Sequence, residues 1–238
     1  MILVVHQPQF LPWQGYMMKM DAADAFCFLD SVQYKKNEWQ NRNRIRTAEG
    51  WQWLTVPVLH RFGQRIDEVR PNDMEPWRKK HLRALEIHYG RTPHFQEVMD
   101  VLGPVYNAPW DNLAALNRAV SEALARALGI ECRFFSSSEV SLPDGPTERL
   151  VALCRLAGAD TYLAGAGGAG YMDLARFEQA GIRVIFQDFR QPEYPQAYPG
   201  FVPGLSVADL LFNMGGKSLE LLRACPPARC SISISKLP

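Results

Sequence analysis

The chain has 238 residues, of which 47% are hydrophobic and 21% are charged, so it is long enough and apolar enough to bury a sizeable core. These values exclude an intrinsically disordered or low-complexity protein. Lys and Arg number 26 against 25 Asp and Glu, and this near-zero net charge disfavours nucleic acid as a partner.

The apolar runs and the cysteines predict where the protein resides. The longest apolar runs, such as residues 1–5 and 210–212, are far shorter than the ~20 residues that span a bilayer. No basic segment precedes the first run, so no signal peptide is expected. Cys27 and Cys154 lie inside apolar runs, which is typical of buried free thiols. We therefore expect a reduced, cytoplasmic protein without a membrane span.

The first half of the chain predicts two strands and a long helical region. Residues 2–5 and 25–29 are near-continuous apolar runs, typical of strands that are covered on both faces, and residues 13–20 predict a helix between them. Residues 51–58 indicate an added strand. Residues 74–128 predict helix throughout, divided into segments by Pro93, Pro104 and Pro109.

The second half repeats an order of helix, glycine and strand three times. The predicted helices at 109–128, 146–157 and 171–180 end at Gly129, Gly158 and Gly181, and strands follow at 132–135, 161–164 and 182–186. This order predicts an α/β fold with a doubly wound, mostly parallel five-stranded sheet and a helical insertion at about 74–128. We expect a single domain over residues 1–215, and a C-terminal helix and tail over 216–238.

In a parallel sheet, ligands bind beyond the carboxyl ends of the strands, and polar residues follow each predicted strand. His6 ends the first strand and is a candidate general base or acid, or else a histidine that only hydrogen-bonds a neighbouring loop. Asp30 ends the second strand and either orients an amine or hydroxyl of the substrate or caps the following turn. We predict that His6, Asp30, Asn41 and Arg42 line one cleft.

Residues 35–46 carry five basic residues and a single acidic one, Glu38. Arg42 and Arg44 alternate with Asn41 and Asn43 and offer forked donors for phosphate or carboxylate, with aromatic residues nearby in sequence for stacking. The alternative is a solvated basic loop beside core aromatics.

Residues 165–170 form a glycine-rich run that formally matches the dinucleotide-binding fingerprint. Because too few residues follow it to form such a domain, we expect no dinucleotide cofactor. The run is either a backbone nest for an anion or a chance run of alanine and glycine. The cysteines lack a second pair of metal ligands, so no metal is expected.

The segments HQPQFLPWQGY and NRNRI, followed by WLTVPV, TERLV and LSVADLLFNMG, resemble the WbqC-like family from residue 2 to about 215. The resemblance implies an association with bacterial O-antigen, surface-polysaccharide and specialised-metabolite gene clusters. It implies a role in adding small acyl or aminoacyl groups to amino sugars or other amines. It brings no settled catalytic residues with it.

The sequence is compatible with three functions. The first is a transferase that forms an amide on an amino sugar or other amine, with His6 and Asp30 as catalytic residues. The second is a nucleotide-dependent ligase or nucleotidyltransferase, and the third is a non-catalytic partner of a carrier protein or glycosyltransferase. The donor is an acyl carrier thioester or a nucleotide, and the expected partners are a small-molecule substrate such as a nucleotide sugar and an acyl or peptidyl carrier protein. The candidate substrate-binding residues are Gln7, Trp13, Tyr16, Lys19, Gln33, Tyr34, Asn41, Arg42, Asn43, Arg44, Gly165, Gly167, Gly168, Tyr171 and Gln187.

Overall fold

The computed structural model describes residues 1–170, 172–224 and 228–230. The strands are β1 (Ile2–His6), β2 (Ala25–Phe28), β3 (Arg42–Thr47), β4 (Gly50–Thr55), β5 (Val58–Leu59), β6 (Arg70–Pro71), β7 (Arg133–Ser136), β8 (Thr161–Ala164), β9 (Arg183–Asp188) and β10 (Ala228–Cys230). The α-helices are α1 (Gln14–Asp21), α2 (Trp77–Tyr89), α3 (Phe95–Asn107), α4 (Leu113–Leu128), α5 (Pro146–Ala157), α6 (Leu174–Gln179), α7 (Val207–Met214) and α8 (Ser218–Ala224). None of these helices is long and apolar enough to cross a bilayer.

Five parallel strands form the central sheet in the order β9-β8-β1-β2-β7. Each coincides, within two residues at either end, with one of the five strands predicted from the sequence. The predicted α/β fold is therefore confirmed. The sequence does not predict β10, which pairs antiparallel with β9 at the edge of the sheet.

Helices cover both faces of the sheet, which explains the unbroken apolar runs of its strands. In β1, Leu3 and Val5 belong to a core shared with helices α5 and α6. Val4 points to the opposite face and belongs to a core shared with α1, α4 and α7. Because side chains alternate along a strand, a strand that is buried on both faces needs an apolar residue at every position.

The helical region between β6 and β7 holds the three helices α2, α3 and α4. The side chain of Asn112 accepts from the backbone N–H of Ala115 at the start of α4, and Gly129 ends this helix in the left-handed conformation with a φ of 78°. The predicted break at Pro104 is wrong, because Pro104 lies inside α3. Leu102 and Tyr106 are buried on either side of it, and this packing outweighs the single backbone hydrogen bond that proline removes.

Strands β3 and β4 form a separate antiparallel hairpin. Much of the basic segment is therefore a strand and not a solvated loop. On one face of the hairpin Asn43, Ile45 and Leu54 are buried against the core. On the other face Trp51 and Trp53 remain exposed.

Candidate functional site

A cleft of about 430 Å³ opens where the carboxyl ends of β1 and β8 lie side by side. It is lined by Val5, His6, Gln7, Lys19, Leu29, Leu150, Tyr162, Gly165, Ala166, Gly167 and Gly168. The cleft therefore contains six of the residues that the sequence singles out. Its position matches the general rule for ligand sites in parallel sheets.

Lys19 reaches this cleft from helix α1, whose residues 14–20 are all buried. Its side chain is only 6% exposed, and it makes no hydrogen bond or ion pair with any residue that the structure describes. Burial alone lowers the pKa of Lys19 from 10.5 to about 8, and no carboxylate opposes this effect. A buried ammonium without a partner is costly, so its presence at a cleft points to an anionic ligand.

Gly165 allows the Lys19 side chain to enter the cleft. A Cβ atom at position 165 would lie 2.8 Å from Lys19 Nζ, closer than such atoms approach in real structures. The following residues, Ala166–Gly170, form a short 3₁₀ turn. The glycine-rich run is thus a wall of the cleft, and an alanine at position 165 would require the end of the Lys19 side chain to shift.

His6 lines the same cleft with its ring edge-to-face against Tyr16 at 4.8 Å between ring centroids. Its Nδ1 lies 3.0 Å from the carbonyl oxygen of Gln7. A carbonyl only accepts hydrogen bonds, so Nδ1 carries the proton and Nε2 keeps its lone pair. Burial, together with the nearby Lys19 ammonium, lowers the pKa of His6 to about 3. The imidazole is therefore neutral at physiological pH.

The cleft places the ammonium of Lys19 and the neutral imidazole of His6 in one lining. The described residues contain no group of three or more His, Cys, Asp or Glu placed to hold a metal ion. The buried thiols are poor nucleophiles, because burial raises the pKa of Cys154 to about 12 and that of Cys27 still further. The arrangement therefore suits direct proton transfer and anion binding rather than attack by an enzyme thiol.

The structure places Asp30 outside the lining of this cleft. Its carboxylate accepts hydrogen bonds from the Ser137 hydroxyl (2.9 Å), the Ser138 backbone N–H (2.9 Å) and the Ser138 hydroxyl (2.8 Å). Asp30 is 4% exposed, and these bonds tie the end of β2 to the segment that follows β7. The geometry is that of a structural carboxylate, which departs from the expected position beside His6.

The two asparagines of the basic segment also have structural contacts. Asn41 donates from Nδ2 to the Val56 carbonyl oxygen at 3.1 Å, and Asn43 donates to the carbonyl oxygens of Phe10 and Leu11. Both side chains are buried and lie outside the cleft lining. Asn43 holds the β3–β4 hairpin against the segment that follows β1, whereas Asn41 ties the start of the hairpin to the residue that follows β4.

Other predicted residues lie at or beside the cleft without lining it. Tyr16 donates to the Gln7 carbonyl oxygen at 3.3 Å, and Gln187 donates to the Gly15 carbonyl oxygen at 3.0 Å. The Trp13 ring packs on Phe189. These contacts support the His6–Gln7 turn and helix α1, which carries Lys19.

The remaining predicted residues lie elsewhere. Tyr34 packs against His60, and Gln33 forms an isolated antiparallel β-bridge with Arg65. Arg42 and Arg44 lie on the outer face of the β3–β4 hairpin, over tryptophan rings. Tyr171 lies outside the described residues.

Sequence reasoning missed Gln40, which joins the basic segment to the cleft. Its Nε2 donates to Gln7 Oε1 at 2.8 Å, and its carbonyl oxygen accepts from Asn117 Nδ2 at 2.7 Å. Gln40 precedes the predicted Asn41, but only its three-dimensional contact with Gln7 identifies its position. Tyr162 and Leu150 line the cleft as well and carry no signal in the sequence beyond apolar character.

Comparison with known proteins agrees with the motifs of the sequence. The WbqC-like protein family matches residues 7–221. The chain is 40% identical over 227 residues to "Uncharacterized protein Rv1507c" from Mycobacterium tuberculosis (strain ATCC 25618 / H37Rv), an alignment that covers 94% of this chain and 98% of that protein. No solved structure matches the chain. By this match over nine-tenths of its length, the chain belongs to the WbqC-like protein family.

Proposed function

We propose that the protein is a small-molecule transferase that forms an amide on an amine substrate, with the cleft at β1 and β8 as its active site. The observation that carries the proposal is the buried Lys19 ammonium, which lacks an anionic partner among the described residues. A phosphate or carboxylate of the substrate supplies that partner, because an opposite charge stabilises the ammonium inside the cleft.

His6 acts on the amine. In amide formation the amine nitrogen bonds to the acyl carbon, and the bond from that carbon to the leaving group breaks. The nitrogen bears a positive charge in the tetrahedral intermediate, so its proton is far more acidic than that of the free ammonium ion. The neutral Nε2 of His6 accepts this proton and returns it to the leaving group. A weakly basic imidazole is sufficient for this step.

Binding of the anion also prepares His6 for proton transfer. Lys19 is one of the two causes that lower the pKa of His6, the larger being burial. An anion beside Lys19 offsets its charge and thereby raises the pKa of His6 in the complex. Lys19 thus couples substrate binding to the basicity of the imidazole.

The experiment combines a panel of donors with a panel of amines. Acyl thioesters of carrier protein and of coenzyme A, and acyl or amino acids with ATP, are each incubated with nucleotide-linked amino sugars, and mass spectrometry detects a new amide. We expect an amide with at least one pair, and its formation to fall at least 100-fold in Lys19→Met and His6→Ala.

Lys80→Met is the matched control, because Lys80 is an exposed lysine on α2 and its loss leaves the cleft intact. A requirement for ATP identifies a ligase and overturns the transferase assignment. The absence of any amide with the full panel, or equal loss of activity in Lys80→Met, also contradicts the proposal.

A further inference from the structure

The outer face of the β3–β4 hairpin carries a cluster that the cleft does not use. It consists of Trp39, Arg42, Arg44, Trp51 and Trp53, and we name it the arginine–tryptophan surface. The three tryptophans are 36–44% exposed, although large apolar side chains are usually buried. Such a concentration of exposed indole rings is typical of an interaction site.

The register of the hairpin places these side chains on one face. Arg44 pairs with Trp53 and Arg46 with Trp51, so Arg42, Arg44 and Arg46 point to the same side as the two tryptophans. Arg46 is buried and donates to carbonyl oxygens of the residue 198–200 segment. Arg42 and Arg44 therefore lie on the part of this face that carries the exposed tryptophans.

Arg42 has hydrogen-bonding capacity that the protein does not use. Its guanidinium lies 4.2 Å from the centroid of the Trp53 ring. It makes no hydrogen bond or ion pair with any described residue, and its Nε is buried without an acceptor. The two Nη groups of Arg42 remain to meet a ligand, and together they can pair with an oxyanion in a bidentate manner.

Arg44 adds a second cation at the same place. It lies 5.0 Å from the centroid of Trp51 and donates from Nη2 to the Gly204 carbonyl oxygen at 2.9 Å. No described carboxylate is within ion-pair distance of Arg42 or Arg44, whereas Arg65, Arg78 and Arg223 each contact an aspartate. The surface therefore combines two cations without anionic partners and exposed aromatic rings.

This combination fits a ligand that carries both an oxyanion and a planar ring. We propose that the arginine–tryptophan surface binds a nucleotide, with its phosphates on Arg42 and Arg44 and its base stacked on an exposed indole ring. A neutral glycan offers hydroxyl acceptors but no negative charge to match the two cations. A single-stranded nucleic acid needs a row of stacking rings, but these indoles are inclined to one another by 51° and 80°.

The surface adjoins the cleft through the Gln40–Gln7 hydrogen bond, since Gln40 follows Trp39 and Gln7 lines the cleft. Nucleotide binding at this surface does not depend on the reaction proposed for the cleft, and the test below separates the two.

The test is a titration of intrinsic tryptophan fluorescence with ADP and UDP, since a base stacked on an indole ring quenches its emission. We expect saturable quenching, a loss of affinity of at least 10-fold in Arg42→Gln, and partial recovery in Arg42→Lys. Trp39→Leu removes an exposed indole ring and should also weaken nucleotide binding. It is a second variant whose result does not depend on whether Arg42→Gln folds. Lys80→Met, which removes an exposed lysine on α2, should bind with unchanged affinity.

Four results would overturn the proposal. Inorganic pyrophosphate that binds as tightly as ADP shows an anion site without base recognition. A 12-nucleotide single strand that binds at least 10-fold more tightly than ADP shows a nucleic-acid site. Loss of binding in Lys19→Met but not in Arg42→Gln places the nucleotide in the cleft, and the absence of quenching at millimolar ADP and UDP excludes the site.

Discussion

Replacing Lys19 by methionine should stabilise the protein while removing the proposed anion site. Burial lowers the pKa of Lys19 from 10.5 to about 8. At about 1.36 kcal/mol per pKa unit, the charged ammonium destabilises the folded state by about 3 kcal/mol at pH 7. Methionine fills similar space without a charge, so Lys19→Met should raise the free energy of unfolding by about 3 kcal/mol. For a chain of this length the gain corresponds to roughly 6–12 °C in Tm.

The effect should depend on pH in a defined direction. Between pH 8 and 10.5 the unfolded chain retains the Lys19 proton, whereas the folded protein has lost it. The folded state then binds fewer protons, so the stability of the wild type rises with pH through this window. The advantage of Lys19→Met should therefore be complete at pH 7 and largely gone near pH 10.

Urea unfolding at pH 7 and pH 10, followed by tryptophan fluorescence, measures both quantities. Lys80→Met, which removes an exposed lysine, should match the wild type at both pH values. A Lys19→Met protein that is less stable than the wild type at pH 7 would refute the reasoning. So would an advantage of equal size at both pH values, because the ammonium would then not be the cause.

Four further outcomes follow from the contacts around the cleft. His6→Ala should lower turnover at least 100-fold while the apparent affinity for an anionic substrate changes little; a change in affinity alone would assign His6 to binding. Gly165→Ala should weaken anion binding by displacing Lys19, whereas Gly167→Ala, where a Cβ has open space, should not. Asp30→Ala should lower the free energy of unfolding by about 3 kcal/mol in urea titrations and leave anion binding unchanged, and a selective loss of turnover would return Asp30 to the catalytic machinery. A bulky thiol reagent should modify Cys154 only upon unfolding, and rapid labelling of the native protein would contradict its burial.

The central sheet could be predicted from the sequence because an apolar run within each strand marks that strand. Strand β1 is an unbroken apolar run, since Leu3 and Val4 are buried on opposite faces. The sequence does not predict strand β3, because its inward side chains include Asn43, which is polar yet buried against carbonyl oxygens. Alternation of arginine and asparagine does not carry the hydrophobic signal by which strands are recognised.

The candidate site could be predicted only in part, because its decisive contacts join residues that are distant in sequence. His6, Lys19 and the glycine-rich run were all candidates, but nothing in the sequence shows that Lys19 is buried without a partner. The role of Asp30 depends on Ser137 and Ser138, more than 100 positions away. No local pattern distinguishes a carboxylate that meets such hydroxyls from one that faces substrate.

The order of strands in the sheet also bears on how the protein is made. Strand β1 lies at the centre, with β2 on one side and β8 on the other, and Ile2 pairs with Thr161. During translation β1 can pair with β2 early, but its second edge stays open until β8 leaves the ribosome. At about 5–20 residues per second this interval lasts roughly 8 to 30 s. An open edge beside an apolar strand invites pairing with other chains, so the nascent chain is open to mispairing during this interval.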